Sequence, residues 1–174
     1  MNRVKELETI YQGEALTLTK NDVIIKNTHF QKDFVRYPNG VAILVLKDDQ
    51  VLLVKQYRAV IDRYTLEIPA GKAKINEDLY ACGLRELEEE TGFTSTCLHP
   101  LCNIVSTPGF CDESIQLYWT KDILPVSSPL AMDEDEDINL VWMPLKEAYQ
   151  RILDQKIHDA KTIVAIQAAL LQQL

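Results

Sequence analysis

Two apolar runs separated by four polar residues constrain the fold of this chain more than any other feature. The runs are residues 41–46 and 51–54, and residues 47–50 lie between them. Their length and the short polar link predict an antiparallel hairpin. Because the apolar residues are continuous and do not alternate with polar ones, both faces of these strands are expected to be covered. Other elements must therefore lie on both sides of a sheet.

Shorter patterns predict further strands around this hairpin. We expect them at residues 15–19, 23–25, 34–36, 66–71, 97–105, 114–120 and 138–143. Two helices near 144–155 and 159–172 close the chain, and in the second one Ile163, Ile166 and Leu170 recur at helical spacing. Mixed strands with helices around them predict an α/β or α+β sandwich.

A further helix is predicted over residues 76–91, with Asn76 as its N-cap and Gly92 just after its end. Gly83 costs this helix up to about 1 kcal/mol relative to Ala, which suggests close packing there.

Carboxylates crowd one face of this predicted helix. Glu86 lies three residues before Glu89 and four before Glu90, so the three side chains share a face and repel one another. Divalent cations such as Mg²⁺ reverse that balance because they prefer carboxylate oxygens. Arg85 can orient or neutralise a member of the group, and Glu77 can reach back toward it. Taken alone, the run is more typical of a solvated acidic helix face.

The surrounding spacing resembles the full signature of the Nudix hydrolases. Its fixed positions, within a 23-residue window, are matched by Gly71, Glu77, Arg85, Glu86, Glu89, Glu90 and Gly92, with apolar Leu87 and Phe93 where they are required. The resemblance implies an α/β/α sandwich with a mixed sheet, preceded by a small N-terminal antiparallel sheet. It also implies a Mg²⁺ site, with Mn²⁺ as a substitute.

The same resemblance assigns roles to individual residues. It makes Glu86, Glu89, Glu90 and the carbonyl of Ala70 the metal ligands. Arg85 would hold the glutamates and, with Glu89, counts among the catalytic residues, whereas Glu77 would be a supporting residue.

Three further stretches resemble the ADP-ribose and nucleoside-diphosphate-sugar pyrophosphatases within that family. They are Gln56-Tyr57-Arg58 with 66–71, the loop 106–113, and residues 159–162. Thr107 replaces a usual Ser, and residues 37–40 differ from the usual His-Pro-Gly-Ala. The implied substrate-binding residues are Arg36, Arg58, Glu67, Phe110 and Glu113. For the arginines the alternative is a surface ion pair, and for Phe110 it is ordinary packing.

The resemblance also places a general base on an acidic loop before the last strand. The matching residue is Glu134, with Glu136 as the second choice, and a plain solvated loop is the alternative. It further implies that residues 1–37 form an N-terminal β segment exchanged between two copies of the chain, and that residues 38–174 form the hydrolase domain. A homodimer is therefore expected.

Charge and composition narrow the partners. The formal net charge is −8, from 26 acidic and 18 basic residues, which argues against nucleic-acid binding. The four cysteines lack paired spacing, so neither a zinc site nor a disulfide framework is expected. No apolar run predicts a signal peptide or a membrane span, and a cytoplasmic location is expected.

The resemblance implies hydrolysis of ADP-ribose to AMP and ribose 5-phosphate. The alternatives are another nucleoside diphosphate sugar, such as GDP-mannose, or a non-catalytic domain that binds nucleotides as a regulator.

Overall fold

The computed structural model describes residues 3–131 and 137–174, and contacts within the chain divide it into two compact units. The first unit consists of two segments of the chain: the described residues up to Asn39, and Val105–Ser114. The second unit consists of Gly40–Ile104 and Ile115–Leu174, apart from the residues not described. Among the described residues, no helix is both long and apolar enough to cross a membrane.

A three-stranded antiparallel sheet forms most of the first unit, in the order β1 (Arg3–Gln12), β2 (Thr17–Ile25) and β3 (Thr28–Arg36). A two-residue turn with positive φ at Lys26 and Asn27 joins β2 to β3, as is usual in tight hairpins. The small N-terminal antiparallel sheet was therefore predicted correctly, although its strands were not.

The predicted strands 15–19, 23–25 and 34–36 are wrong in extent. The first two are parts of one strand, because Asn21 does not form a turn: its side-chain amide donates to the carbonyl and hydroxyl of Thr19, within β2. The strand β1 was not predicted at all. Bulges between Glu6 and Glu8 and between Thr9 and Tyr11 break the alternation by which a strand is recognised.

In its described residues the second unit contains a mixed seven-stranded sheet, a two-stranded ribbon, three α-helices and the short 3-10 helix Ala59–Ile61. The strands of the sheet are β4 (Gly40–Lys47), β5 (Gln50–Arg58), β6 (Arg63–Glu67), β7 (Ala70–Lys72), β9 (His99–Val105), β10 (Ser114–Thr120) and β12 (Ile138–Pro144). The order is β12-β5-β4-β10-β9, with β6 on β5 and β7 on β4, and β10 runs parallel to β4. The ribbon pairs β8 (Phe93–Ser95) with β11 (Ile123–Pro125). The helices are α1 (Leu79–Thr91), α2 (Leu145–Leu153) and α3 (Ala160–Gln172).

Both faces of the central hairpin are buried, as its continuous apolar runs predict. Along β4, Ala42, Leu44 and Leu46 belong to a core cluster that contains Ala148 of α2 and residues of α3. The alternate residues Val41, Ile43 and Val45 belong to a second cluster with Leu87 and other residues of α1. The sheet is thus covered by α1 on one face and by α2 and α3 on the other.

The two strands of the central hairpin pair only near their turn and then separate. Their separation makes room for the chain that leads to the glutamate helix. Strands β4 and β5 pair only through Val45–Lys47 and Gln50–Leu52. Beyond that point β5 pairs with β6, and β4 pairs with β7. The residues that connect β6 to β7 therefore cross from β5 to β4. At the crossing, the amide of Ile43 donates to the carbonyl of Pro69 at 2.8 Å. This crossing leads directly into the loop before α1.

The helix α1 begins later than predicted. Its N-cap is Asp78, whose side chain accepts from the amides of Tyr80 and Ala81, so the prediction of Asn76 is wrong. Asn76 has a φ of 63° and lies in the preceding turn. Gly92, with a φ of 69°, ends the helix as expected. Gly83 is closely packed as well, because a Cβ there would lie 2.9 Å from the Cδ1 atom of Leu98.

Candidate active site on the glutamate helix

A glycine makes room for one of the helix carboxylates. A Cβ atom on Gly71 would lie 2.0 Å from the Cδ atom of Glu86 and about as close to both of its oxygens. The carboxylate of Glu86 therefore occupies the space that any other residue at position 71 would fill. This contact fixes the loop after β7 against the middle of α1.

Arg85 joins the carboxylates of this helix into one cluster. Its Nη1 donates to Glu86 Oε1 at 2.8 Å and to Glu89 Oε2 at 2.6 Å. Its Nε and Nη2 donate to the two oxygens of Glu77, both at 2.8 Å. The guanidinium lowers the pKa of Glu77 to about 2, and Glu77 in turn raises the pKa of Arg85. The glutamates that should repel each other are thus held by one cation.

Glu90 faces the crossing chain from the last turn of α1. Its Oε2 accepts from the amide of Ala70 at 3.0 Å, and the residue is 5% exposed. The carbonyl of Ala70 belongs to the same short strand β7. In the described part of the chain, no group of three His, Cys, Asp or Glu side chains is arranged to bind a metal ion as it stands. Oxygens of both Glu86 and Glu89 are bound by Arg85.

The donor set nevertheless fits a hard divalent cation. Carboxylate and carbonyl oxygens are the ligands that Mg²⁺ prefers. Glu86 and Glu89 already converge on a single positively charged nitrogen, so their side chains can share a cation. The residues able to hold a metal ion are therefore Glu86, Glu89, Glu90 and Ala70.

A second, buried charge network lies where β6 ends. Glu67 accepts two hydrogen bonds from Arg58, at 2.8 and 2.7 Å, and one from Lys161 Nζ at 2.6 Å. Lys161 also donates to Asp159 at 3.0 Å, and the hydroxyl of Thr65 donates to Glu67 at 2.6 Å. Burial alone would raise the pKa of Glu67, but the bonds from Arg58 and Lys161 outweigh it and hold the pKa well below its usual range.

Arg58 and Glu67, both predicted as substrate-binding residues, are thus brought together in the structure. Burial would lower the pKa of Lys161, but the carboxylates of Asp159 and Glu67 outweigh burial and raise it. Both residues of the pair also line an open cleft of about 360 Å³, shared with Arg63, His158 and the exposed Val60.

The other predicted substrate residues lie in the first unit. Arg36 Nη1 donates to Asp112 Oδ2 at 3.1 Å, and its guanidinium lies 5.4 Å from the centre of the Phe34 ring. Phe110 is 55% exposed and borders a small cleft of about 130 Å³ with Arg36 and Asp112. Glu113 is half-buried, and its carbonyl accepts from the amide of Ser106. Backbone bonds from Val35 to Phe110 and from Asp112 to Val35 fasten this loop to β3.

The two candidates for a general base, Glu134 and Glu136, lie outside the described residues. The described chain just before them is fastened to the glutamate helix: the amide of Leu130 donates to Glu88 Oε1 at 3.2 Å, and the amide of Val126 donates to the carbonyl of Gly92 at 2.9 Å.

Sequence reasoning missed the side chains that support this site from α3. Lys161 and Thr162 received no individual role, although the stretch 159–162 was noted. Lys161 is only 9% exposed. Its sequence signal is a lysine beside the apolar residues of a helix, since lysines are rarely buried unless they are paired. Asp112, which holds Arg36, was missed for lack of any pattern linking positions so far apart.

The chain is similar to known proteins over most of its length. The model of the NUDIX domain family matches residues 36–165. The methanol dehydrogenase activator of Bacillus methanolicus is 37% identical over 168 residues, covering 95% of this chain and 91% of that protein. The ADP-ribose pyrophosphatase of Bacillus subtilis strain 168 is 34% identical, covering 92% and 88%.

A crystal structure of an ADP compounds hydrolase superimposes with a TM-score of 0.82 at 24% identity, covering 98% of this chain and 94% of that one. This likeness concerns the fold and agrees with an α+β Nudix architecture preceded by a small sheet. On the extent of the family match and the identity to its curated relatives, the chain belongs to the NUDIX family of hydrolases.

Proposed function

We propose that this Nudix hydrolase cleaves the pyrophosphate of ADP-ribose to give AMP and ribose 5-phosphate, with Mg²⁺ as cofactor. The observation that carries the proposal is the convergence of Glu86 and Glu89 on one cation beside Gly71, with Glu90 on the Ala70 amide. In the reaction a water oxygen bonds to one phosphorus, the bridging P–O bond breaks, and the other phosphate leaves.

In this proposal Glu86, Glu89, Glu90 and the carbonyl of Ala70 hold the metal. When bound, Mg²⁺ offsets charge on the pyrophosphate and lowers the pKa of the attacking water. Arg85 keeps the carboxylates on one side of the helix, and Glu77 binds Arg85 through both oxygens, which fixes its orientation. The chain itself contributes mainly position and charge.

We assign the general base to Glu134, with Glu136 as the second choice. Support comes from the described residues before them, because Leu130 and Val126 are fastened to Glu88 and Gly92 at the end of α1. Leu130, four residues before Glu134, therefore contacts the helix residue next to Glu89.

Arg58, Arg36, Phe110 and Glu113 are proposed as substrate contacts. Arg58 uses Nε and Nη2 on Glu67, and its side chain is 39% exposed, so its outer edge is accessible. Glu67 then acts on the substrate through Arg58, since its own oxygens accept from Arg58, Lys161 and Thr65.

We also propose that the first unit, predicted as the segment 1–37, mediates a homodimer. Strand β1 is exposed along its whole length and carries Val4, Leu7 and Ile10, each about half exposed. Such a row of apolar side chains on an edge strand favours a protein partner. Sedimentation at micromolar concentration tests this, and a monomer would contradict it.

The test of function is hydrolysis of ADP-ribose with Mg²⁺, beside ADP-glucose, GDP-mannose and a diadenosine polyphosphate, with the products resolved by chromatography. Selective release of AMP from ADP-ribose is the expected result. Faster cleavage of GDP-mannose would keep the hydrolase and replace the substrate. No cleavage with either Mg²⁺ or Mn²⁺ would favour a regulatory role, of the kind that the name of the Bacillus methanolicus relative describes.

A further inference from the structure

The five residues that cross from β6 to the loop before α1 are each held by a different contact. Glu67 is bound by Arg58 and Lys161, and the amide of Ile68 donates to Thr162 Oγ1 at 2.8 Å. Pro69 accepts from Ile43, Ala70 donates to Glu90, and Gly71 lies under the carboxylate of Glu86. The first two of these residues are therefore held from α3 and the last two by the glutamate helix.

The contacts that α3 makes to the crossing chain are buried. Thr162 is completely buried, and its hydroxyl also donates to Asp159 Oδ2 at 2.5 Å. Asp159 caps the helix by accepting from the amide of Thr162 at 3.0 Å, and it accepts from Lys161 as well. The first turn of α3 is thus locked to itself and, through Lys161 and Thr162, to residues 94 positions earlier in the chain.

We propose that Lys161 and Thr162 are positioning residues for the reaction of this site. They set where the Ala70 carbonyl lies relative to Glu90, and so they determine the geometry of the metal site from behind its ligands. The inference rests on the proposed function, because it takes Ala70 and Glu90 as ligands. Its physical basis is that side chains behind the ligands commonly change metal affinity or activity about 10- to 100-fold when they are lost.

Thr162→Val is the most direct test, since valine keeps the shape of threonine and removes the acceptor for Ile68. Thr162→Ser is its matched control, because serine restores that acceptor. Ile166→Val is the control for stability: Ile166 is completely buried one turn further along α3, and its apolar side chain belongs to the core cluster and cannot hydrogen-bond to the crossing chain. All are measured well below their melting temperatures.

Two readouts separate positioning from stability. The first is the dissociation constant for Mn²⁺, measured by electron paramagnetic resonance without nucleotide, and the second is the split between kcat and KM for ADP-ribose. For Thr162→Val we expect roughly tenfold weaker Mn²⁺ binding and about tenfold lower kcat, with KM changed less than about twofold. Thr162→Ser and Ile166→Val should match the wild-type protein in both readouts.

The proposal is overturned if Thr162→Val lowers the melting temperature as Ile166→Val does and leaves the Mn²⁺ affinity and kcat unchanged. Should Thr162→Val not fold, Lys161→Met is compared with Lys161→Arg by the same readouts. Loss of the fold in both Thr162→Val and Lys161→Met would assign these side chains to stability alone and would also overturn it. A wild-type protein that binds Mn²⁺ but spares ADP-ribose would refute the substrate assignment, while the Mn²⁺ measurement still decides this inference.

Discussion

Replacement of Gly71 by alanine should remove activity while sparing the fold. The new methyl group would lie 2.0 Å from Glu86 Cδ and 2.1 Å from its Oε2. Ordinary contacts between such atoms are about 3.5–4.0 Å, so the carboxylate must move by roughly 1.5 Å. The side chain of Glu86 is only 12% exposed, and its bond to Arg85 Nη1 is 2.8 Å long, so this displacement breaks the pairing.

The backbone contributes little to this effect. Gly92 is the only described glycine with a positive φ, so alanine at position 71 meets a clash and no strain in its own conformation. Misplacement of a catalytic group by about 1 Å can reduce turnover about 100-fold. We therefore expect a fall of that order in kcat for ADP-ribose and weaker Mn²⁺ binding, with little change in the melting temperature.

Gly92→Ala is the matched control within the same motif. No atom lies within 4 Å of its added Cβ, but a φ of +69° strains alanine. That conformation costs about 1–2 kcal/mol, which lowers the melting temperature of a chain of this size by about 2–8 °C. We expect this variant to lose stability and keep its Mn²⁺ affinity. Wild-type kcat and Mn²⁺ affinity in Gly71→Ala would refute the argument from the clash.

Glu90→Gln should lower kcat about 100-fold or more, because the amide keeps an acceptor for Ala70 but loses the charge that a cation needs; near-normal turnover would remove Glu90 from the metal ligands. Glu67→Gln should flatten the loss of stability in acid. The folded pKa of Glu67 lies below its unfolded value of about 4.5, so its contribution is complete above that pH and is lost as the pH falls below it. Urea midpoints at several pH values measure this effect, and an unchanged acid slope would contradict it. Chelation by EDTA should abolish hydrolysis of ADP-ribose and added Mg²⁺ should restore it, whereas activity that survives chelation would exclude metal dependence.

Most of the fold could be predicted from local patterns in the sequence. The hairpin of β4 and β5 was predictable because its apolar runs are continuous and its turn is short, and both core clusters follow from that. Strand β10 and helix α3 were also predicted within one residue of their observed bounds. In the first unit the same approach failed where bulges in β1 removed the alternation and where Asn21, which lies between two predicted strands, is buried within the single strand β2.

Only part of the candidate site could be predicted from local patterns in the sequence. The glutamates, Arg85 and Gly71 lie within one short window, so their spacing alone brings them to one face of α1 and its preceding loop. The bonds from Lys161 to Glu67 and from Thr162 to Ile68 join residues 94 positions apart. Such pairs depend on how α3 packs on the sheet, and no periodicity within either segment encodes that arrangement.

The balance of charge distinguishes the two ionic networks beside the crossing chain. In the buried network, Arg58 and Lys161 face Glu67 and Asp159, so two cations meet two carboxylates. On α1, Arg85 faces the three carboxylates of Glu77, Glu86 and Glu89. A further cation would not be stabilised in the network around Glu67, because its charges are already paired. The carboxylates on α1 outnumber their cation, so they favour the binding of a metal ion. The same five-residue crossing touches both networks, so one short segment links the paired charges around Glu67 to the acidic face of α1.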